Sequence, residues 1–364
     1  MKKDSRTALI HYWLLNMRGG ERVLENFCGM FPDADIFTHA WNREKTSSVF
    51  RSHKVTETFI GRLPRAKRNC QIYLPLMPSA LRRLDLSGYE LIVSSESGPA
   101  KGIRKPAGAF HLCYCHTPMR YLWDLYDDYY RESSLPRKLA MTAFKTYLRN
   151  CDLRSAESVD CFAANSVFVA KRIRRIYGRR SVVIHPPVDT DFFSDCVRRP
   201  GGYYLFAGAL VSYKLPMLAL QACLRMNRKI IFAGDGPMLS SLRHIAGNRA
   251  EFRTGISDEA LRDLYAGAKA LLFPGLEDFG MIPVEAQSAG TPIIAYGAGG
   301  ALETVSGGET GVFFAEQTVN SLCEAIESFE ASEWDAETIR RHARRFHPSN
   351  FMRGIRNLLP ERFL

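Results

Sequence analysis

The sequence predicts an α/β protein built on two doubly wound parallel sheets, and three observations carry that expectation. Twelve short apolar runs recur along the 364 residues. They are continuous rather than alternating, as strands covered on both faces require. Segments with helical spacing lie between them, the pattern of crossover connections in parallel sheets. Midway, the stretch 185–202 interrupts the alternation with Pro186, Pro187, Pro200, Gly201 and Gly202, and reads as a hinge.

In chain order, the first six strands are expected at 7–14, 34–41, 89–95, 109–116, 160–166 and 181–188. The second six are expected at 203–210, 229–236, 250–255, 269–275, 291–296 and 311–315. After Gly20, the residues Val23, Leu24, Phe27, Met30 and Phe31 keep helical spacing. The segment "SDEALRDLYAGA" opens a helix with Ser257 as N-cap and two acids in its first turn. Pro283 suits the first turn of another helix, where its missing N–H costs nothing. Two domains follow, 1–190 and 191–345.

Hydrophobic residues make up 46% and charged residues 24%, as in soluble globular proteins. No apolar run approaches the ~20 residues of a membrane-spanning helix. The basic start leads into a short apolar patch broken by His11, read as a buried strand and not a signal peptide. Nine scattered cysteines without a CxxC pair fit reduced thiols of a cytosolic protein better than a zinc site. Asp33 with Asp35, and Asp189 with Asp191, have DxD spacing but lack the strand context of a metal site, so no metal is expected. Residues 1–200 hold 33 Lys and Arg against 20 Asp and Glu, a surplus of 13; residues 201–364 hold 16 against 18. A basic first half suggests an anionic partner. A nucleic-acid binder would share that charge, but no recognised binding motif accompanies it.

Ligands of such sheets bind beyond the carboxyl ends of the strands. There the loops "AGALVSYK", "AGDGPM", "PGLEDFGMIPVEA" and "YGAGGALE" bring Gly208, Gly236, Gly280, Gly299 and Gly300 to one rim. Glycine lets backbone N–H groups approach a ligand, and helix N-termini favour anions. A nucleotide or diphosphate site is therefore expected. Neither a GxxxxGK[ST] loop nor a GxGxxG after the first strand is present. Glu277 and Glu285 flank the Gly280 turn; the second can hold a ribose hydroxyl pair and the first the far end of the same ligand.

These motifs resemble the retaining glycosyltransferases of family 4, which have the GT-B fold of two Rossmann-like domains facing a central cleft. The resemblance rests on the E-x7-E pair Glu277 and Glu285, the G-x-G-P loop at 234–237, "FRTGISDEAL" at 252–261 and "GGALE" at 299–303. In the first half it rests on "GGERV" (19–23), "YCHTPMRYLWD" (114–124), "AANSVFVAKRIRRIYG" (163–178) and "HPPVD" (185–189). The look is nearest to bacterial O-antigen and exopolysaccharide mannosyltransferases that use GDP-mannose. It implies that the last helix, about 346–364, returns to the first domain.

What the resemblance implies for the site is specific. Lys214 contacts the donor diphosphate, with Gly208 and Gly236 beside it and backbone amides from Gly280 and Met281. Glu285 holds the ribose and Glu277 the transferred sugar. Ile256 touches the base through its backbone. His116 faces the sugar, and Gly19 and Gly20 line the cleft. Where the family carries an arginine, this chain has Ala209; either Arg18 supplies the missing cation or the diphosphate is held more weakly. No cofactor or metal is implied beyond the nucleotide-sugar substrate, and the acceptor is a glycan or a polyprenyl-diphosphate-linked saccharide.

The segment 59–84 interleaves apolar residues with Arg62, Arg65, Lys67, Arg68, Arg82 and Arg83, which suits an anionic membrane surface. The basic run 171–180 reads as a solvated helix face. The expected location is cytoplasmic, peripheral on the inner face of the cell membrane. Two other readings stay open: a catalytically impaired homologue that binds a partner, and a sugar-nucleotide epimerase.

Overall fold

The computed structural model describes residues 6–363. It divides into two compact units, one running to His185 and resuming at Phe351, the other Pro186–Asn350.

The first unit holds a seven-stranded sheet in the order β3-β2-β1-β4-β5-β6-β7. The strands are β1 Thr7–His11, β2 Asp35–Thr38, β3 Val55–Glu57, β4 Leu91–Glu96, β5 Phe110–Cys115, β6 Cys161–Ala164 and β7 Val182–Val183. The second unit holds six, in the order β10-β9-β8-β11-β12-β13. These are β8 Tyr203–Ala207, β9 Lys229–Ala233, β10 Ala250–Arg253, β11 Leu271–Phe273, β12 Ile293–Tyr296 and β13 Gly311–Phe314. Every pairing is parallel. Each sheet reverses its winding beside its first strand, between β1 and β4 and between β8 and β11. Loops at such switch points open a crevice for a ligand.

Central strands such as β1 and β4 are buried along their whole length, which explains their unbroken apolar runs. The strand β3 was not expected. It is a half-buried edge strand of three residues, Val-Thr-Glu, with one apolar side chain and so no run to read. Each sheet is covered on both faces by helices and carries core clusters there. Helix Gly19–Met30 buries Val23, Leu24, Phe27 and Cys28 on β1 and its neighbours.

The chain's last residues complete the first unit's core. Phe351, Ile355 and Leu359 are buried with Phe27 and Tyr114, and the Phe351 ring stands edge-on to both aromatic rings at 5.3 Å between centroids.

Candidate active site

In the second unit, the loops after β8, β9, β11 and β12 share the carboxyl edge of the sheet. The loop after β8 ends in a short turn, Ser212–Lys214, and Leu215 takes a left-handed φ of 54° before Pro216 starts a helix. This turn aims Lys214 across the switch point. Its Nζ lies 2.8 Å from Glu277 Oε1, in the loop after β11, and both side chains are more than four-fifths buried. The cation expected at the diphosphate and the carboxylate expected at the sugar thus already meet.

Gly280 caps the next helix, Met281–Ser288, with φ 90° and ψ 77°. A side chain would be strained in this conformation. The turn leaves the first amides of the helix directed outward, where an anion can take their hydrogen bonds. Glu285 lies one turn into the helix. Its Oε2 accepts a hydrogen bond from the Tyr265 hydroxyl at 2.9 Å. Tyr265 is fully buried in helix Asp258–Gly267. Burial, and then the Glu285 charge, hold its phenol well above the ordinary tyrosine range, so it remains a donor. Ser257 caps that helix by accepting from the Ala260 N–H, and Ile256 just before it packs on the core.

Two glycines of the rim have a packing duty besides the one read in the sequence. A Cβ on Gly236 would lie 2.4 Å from the Leu210 carbonyl oxygen, and one on Gly300 would lie 2.2 Å from Phe279 Cα. These residues let neighbouring loops stack backbone on backbone. Gly208 is the one whose added Cβ would face Lys214 Nζ, at 3.6 Å.

In the first unit, His116 follows β5 and its N–H donates to the Glu96 carbonyl at 2.8 Å. Its Nε2 lies 2.8 Å from Ser95 Oγ, at the end of β4. Burial, with His11 adding to it, pushes the His116 pKa down to about 3, so the ring is neutral near pH 7. Gly19 and Gly20 open the helix beside it. A Cβ on Gly20 would meet the Tyr12 hydroxyl at 2.6 Å and His11 Cε1 at 3.6 Å. Arg18 is exposed at the start of that helix.

The segment after His116 is tied down by buried charge. Lys101 Nζ sits 2.8 Å from Glu96 and 2.5 Å from Asp152, all three buried. Trp123 Nε1 donates to Asp152 at 2.7 Å. Arg172, read in the sequence as part of a solvated face, is buried instead; it pairs with Asp124 and donates to Thr117 and to the Pro118 carbonyl. An arginine in a basic run looks solvated until its long-range carboxylate is known.

Two units, each with a parallel sheet and crevice loops at its switch point, define the GT-B class. The model of "Glycosyltransferase Family 4" matches residues 17–192 and that of "Glycosyl transferases group 1" matches 192–346, together spanning most of the chain. The chain belongs to the family 4 glycosyltransferases.

Relatives include the D-inositol 3-phosphate glycosyltransferase of Kribbella flavida, 26% identical over 51% of this chain and 52% of that one. The enzyme of that name from Mycobacterium tuberculosis is 28% identical over 47% and 41%. The chain thus spans about half or less of the length of these relatives. Among solved structures, Anabaena Alr3699/HepE in complex with UDP and glucose superposes with a TM-score of 0.72 at 17% identity, covering 97% of this chain and 98% of that one. The lipopolysaccharide outer core galactosyltransferase WaaB in its apo form gives 0.67 at 15% identity, covering 97% and 98%. These likenesses establish the fold. Among the described residues, no helix is long and apolar enough to cross a membrane.

Proposed function

We propose that the protein transfers a sugar from a nucleotide-sugar donor to a saccharide acceptor. One observation carries this reading: Lys214, Glu277, Glu285 and the amides opening helix Met281–Ser288 gather on the rim that flanks the second sheet's switch point. A leaving nucleoside diphosphate builds up negative charge. The helix amides are oriented to stabilise it, and the Lys214 ammonium adds its charge. In this reading Glu277 binds the sugar, Glu285 the ribose, Ile256 the base, and His116 a sugar hydroxyl. Lys214 must exchange part of its contact with Glu277 for the phosphates when donor binds. This charge handling asks for no metal ion, and the anomeric configuration is retained.

For the donor we favour GDP-mannose, on the resemblance of the motifs; UDP-glucose is the second candidate, because it is the ligand of an Anabaena Alr3699/HepE complex of similar fold. The acceptor we favour is a polyprenyl-diphosphate-linked saccharide at an anionic membrane surface. Two exposed features support docking there. Arg62, Arg65, Lys67, Arg68, Arg82 and Arg83 are all exposed, with Ile72 and Leu76 among them. Helix Leu135–Glu157 also presents Leu135, Leu139, Phe144 and Tyr147 to solvent beside Arg137. The sequence reading did not single out that second stripe.

A panel of GDP- and UDP-sugars tests the reading, scored by thermal shift and by release of nucleoside diphosphate with chelator present. One donor should raise the melting temperature and be consumed in the presence of a lipid-linked acceptor. Protection by none of them, or turnover only with added divalent ion, would overturn the donor site or the metal-independent chemistry respectively.

A further inference from the structure

The carboxyl ends of β1, β4 and β5 place three polar side chains in a row. Ser95 Oγ lies 3.1 Å from His11 Nδ1 and 2.8 Å from His116 Nε2. A hydroxyl has one proton, so it donates to one of these nitrogens and accepts N–H from the other. The two imidazoles therefore cannot choose their tautomers independently.

The far side of His11 decides the direction. Its Nε2 is buried, makes no hydrogen bond among the described residues, and faces Glu21 Oε1 at 3.7 Å. Glu21 is itself buried, and its Oε2 accepts from the Arg18 N–H at 3.1 Å, which fixes the carboxylate. A lone pair aimed at a buried carboxylate is repelled, while an N–H is attracted. His11 therefore carries its proton on Nε2 and offers Nδ1 as an acceptor. Ser95 donates to that Nδ1, and its oxygen accepts from His116 Nε2–H.

We propose that Glu21, His11 and Ser95 are positioning residues that hold His116 in the Nε2–H tautomer. His116 then presents the Nδ1 lone pair as an acceptor for a hydroxyl of the donor sugar. This rests on the reading of His116 as the sugar-facing histidine. In the opposite tautomer Nδ1 would be a donor, and a sugar hydroxyl would have to reverse its own hydrogen bond to meet it. Gly20 belongs to this device. A side chain there would displace the hydroxyl of Tyr12, whose ring lies against the His11 ring.

The test is long-range 1H–15N correlation on protein labelled with [15N]histidine, with His116 assigned from its loss in His116→Gln. In the wild type at pH 7.5, Nε2 should be protonated and Nδ1 bare. Ser95→Ala should release the ring to a mixture of tautomers and lower kcat/KM by roughly tenfold, the scale of one hydrogen bond, without changing affinity for the free nucleoside diphosphate. Ser95→Thr keeps the hydroxyl and should keep the wild-type tautomer. A wild-type His116 protonated on Nδ1, as a cationic His11 would impose, overturns the chain. So does a His116 tautomer that Ser95→Ala leaves unchanged. If the tautomer shifts as expected but turnover does not, the chain stands and the sugar-facing role of His116 falls.

Discussion

Replacing Tyr265 by phenylalanine isolates one interaction at the proposed ribose end of the site. The substitution keeps the buried ring and removes the hydroxyl that donates to Glu285 Oε2 at 2.9 Å. A hydrogen bond to a charged group contributes about 1.5–3 kcal/mol. Part of that loss falls equally on the free and bound states, because Glu285 loses its donor in both. The remainder is the freedom the carboxylate gains before binding, about 1–1.5 kcal/mol, which corresponds to roughly five- to tenfold in Kd. Calorimetry with GDP and UDP measures it, with inorganic pyrophosphate as the control. Pyrophosphate reaches Lys214 and the amides near Gly280 but has no ribose, so its affinity should hold. The loss should be the same from pH 6 to 9, since the phenol stays protonated throughout that range. Nucleotide binding unchanged in Tyr265→Phe, or an equal loss for pyrophosphate, would refute the reasoning.

Three other outcomes follow from the structure. Glu277→Ala should spare nucleoside diphosphate binding, or strengthen it by freeing Lys214 from its 2.8 Å pair, while sharply lowering donor turnover; calorimetry and rate assays together decide this. Lys101→Met should cost about 3–5 kcal/mol in urea denaturation, because it leaves Glu96 and Asp152 buried without their cation; a loss below about 1 kcal/mol would contradict that account. The first unit should lose stability as pH falls from about 6.5 toward 4. Burial pushes His39 down to about 4 and His111 to about 3, whereas an unfolded histidine takes up its proton near 6.5. In that window the unfolded chain binds protons that the native unit refuses, so acid favours unfolding. Urea midpoints at pH 7 and 5 should differ accordingly, and less so in His39→Gln.

Much of the sheet architecture was legible because burial on both faces leaves an unbroken apolar run wherever a central strand lies. Val55–Glu57 escaped because an edge strand needs no such run. Lys214, Gly280, Met281, Glu277 and Glu285 were legible as a motif, since one loop and the helix it opens place four of them by local geometry alone. Tyr265, Ser95, His11 and Glu21 were not. Each matters through a partner on another element, and only the parallel register brings Ser95 between two histidines from neighbouring strands. The packing duty of Gly236 and Gly300 was not legible for a related reason. Their tight neighbours are other loops' backbones, which leave no mark in the residues beside them.

The first unit's core has a consequence for how the chain is made. Phe351, Ile355 and Leu359 fill the space against Phe27 and Tyr114, yet they are synthesised only after the whole second unit. Between His185 and Phe351 lies the entire second unit. At the usual elongation rate of about 5–20 residues per second, that interval lasts roughly 10–30 s. For that time the nascent chain carries an open apolar gap beside Phe27 while the second unit is being made, and that unit is complete before the gap is filled. The order of maturation is thereby inverted, with the half made second finished first. Removing residues from Phe351 onward should leave the first unit aggregation-prone and the second unit folded.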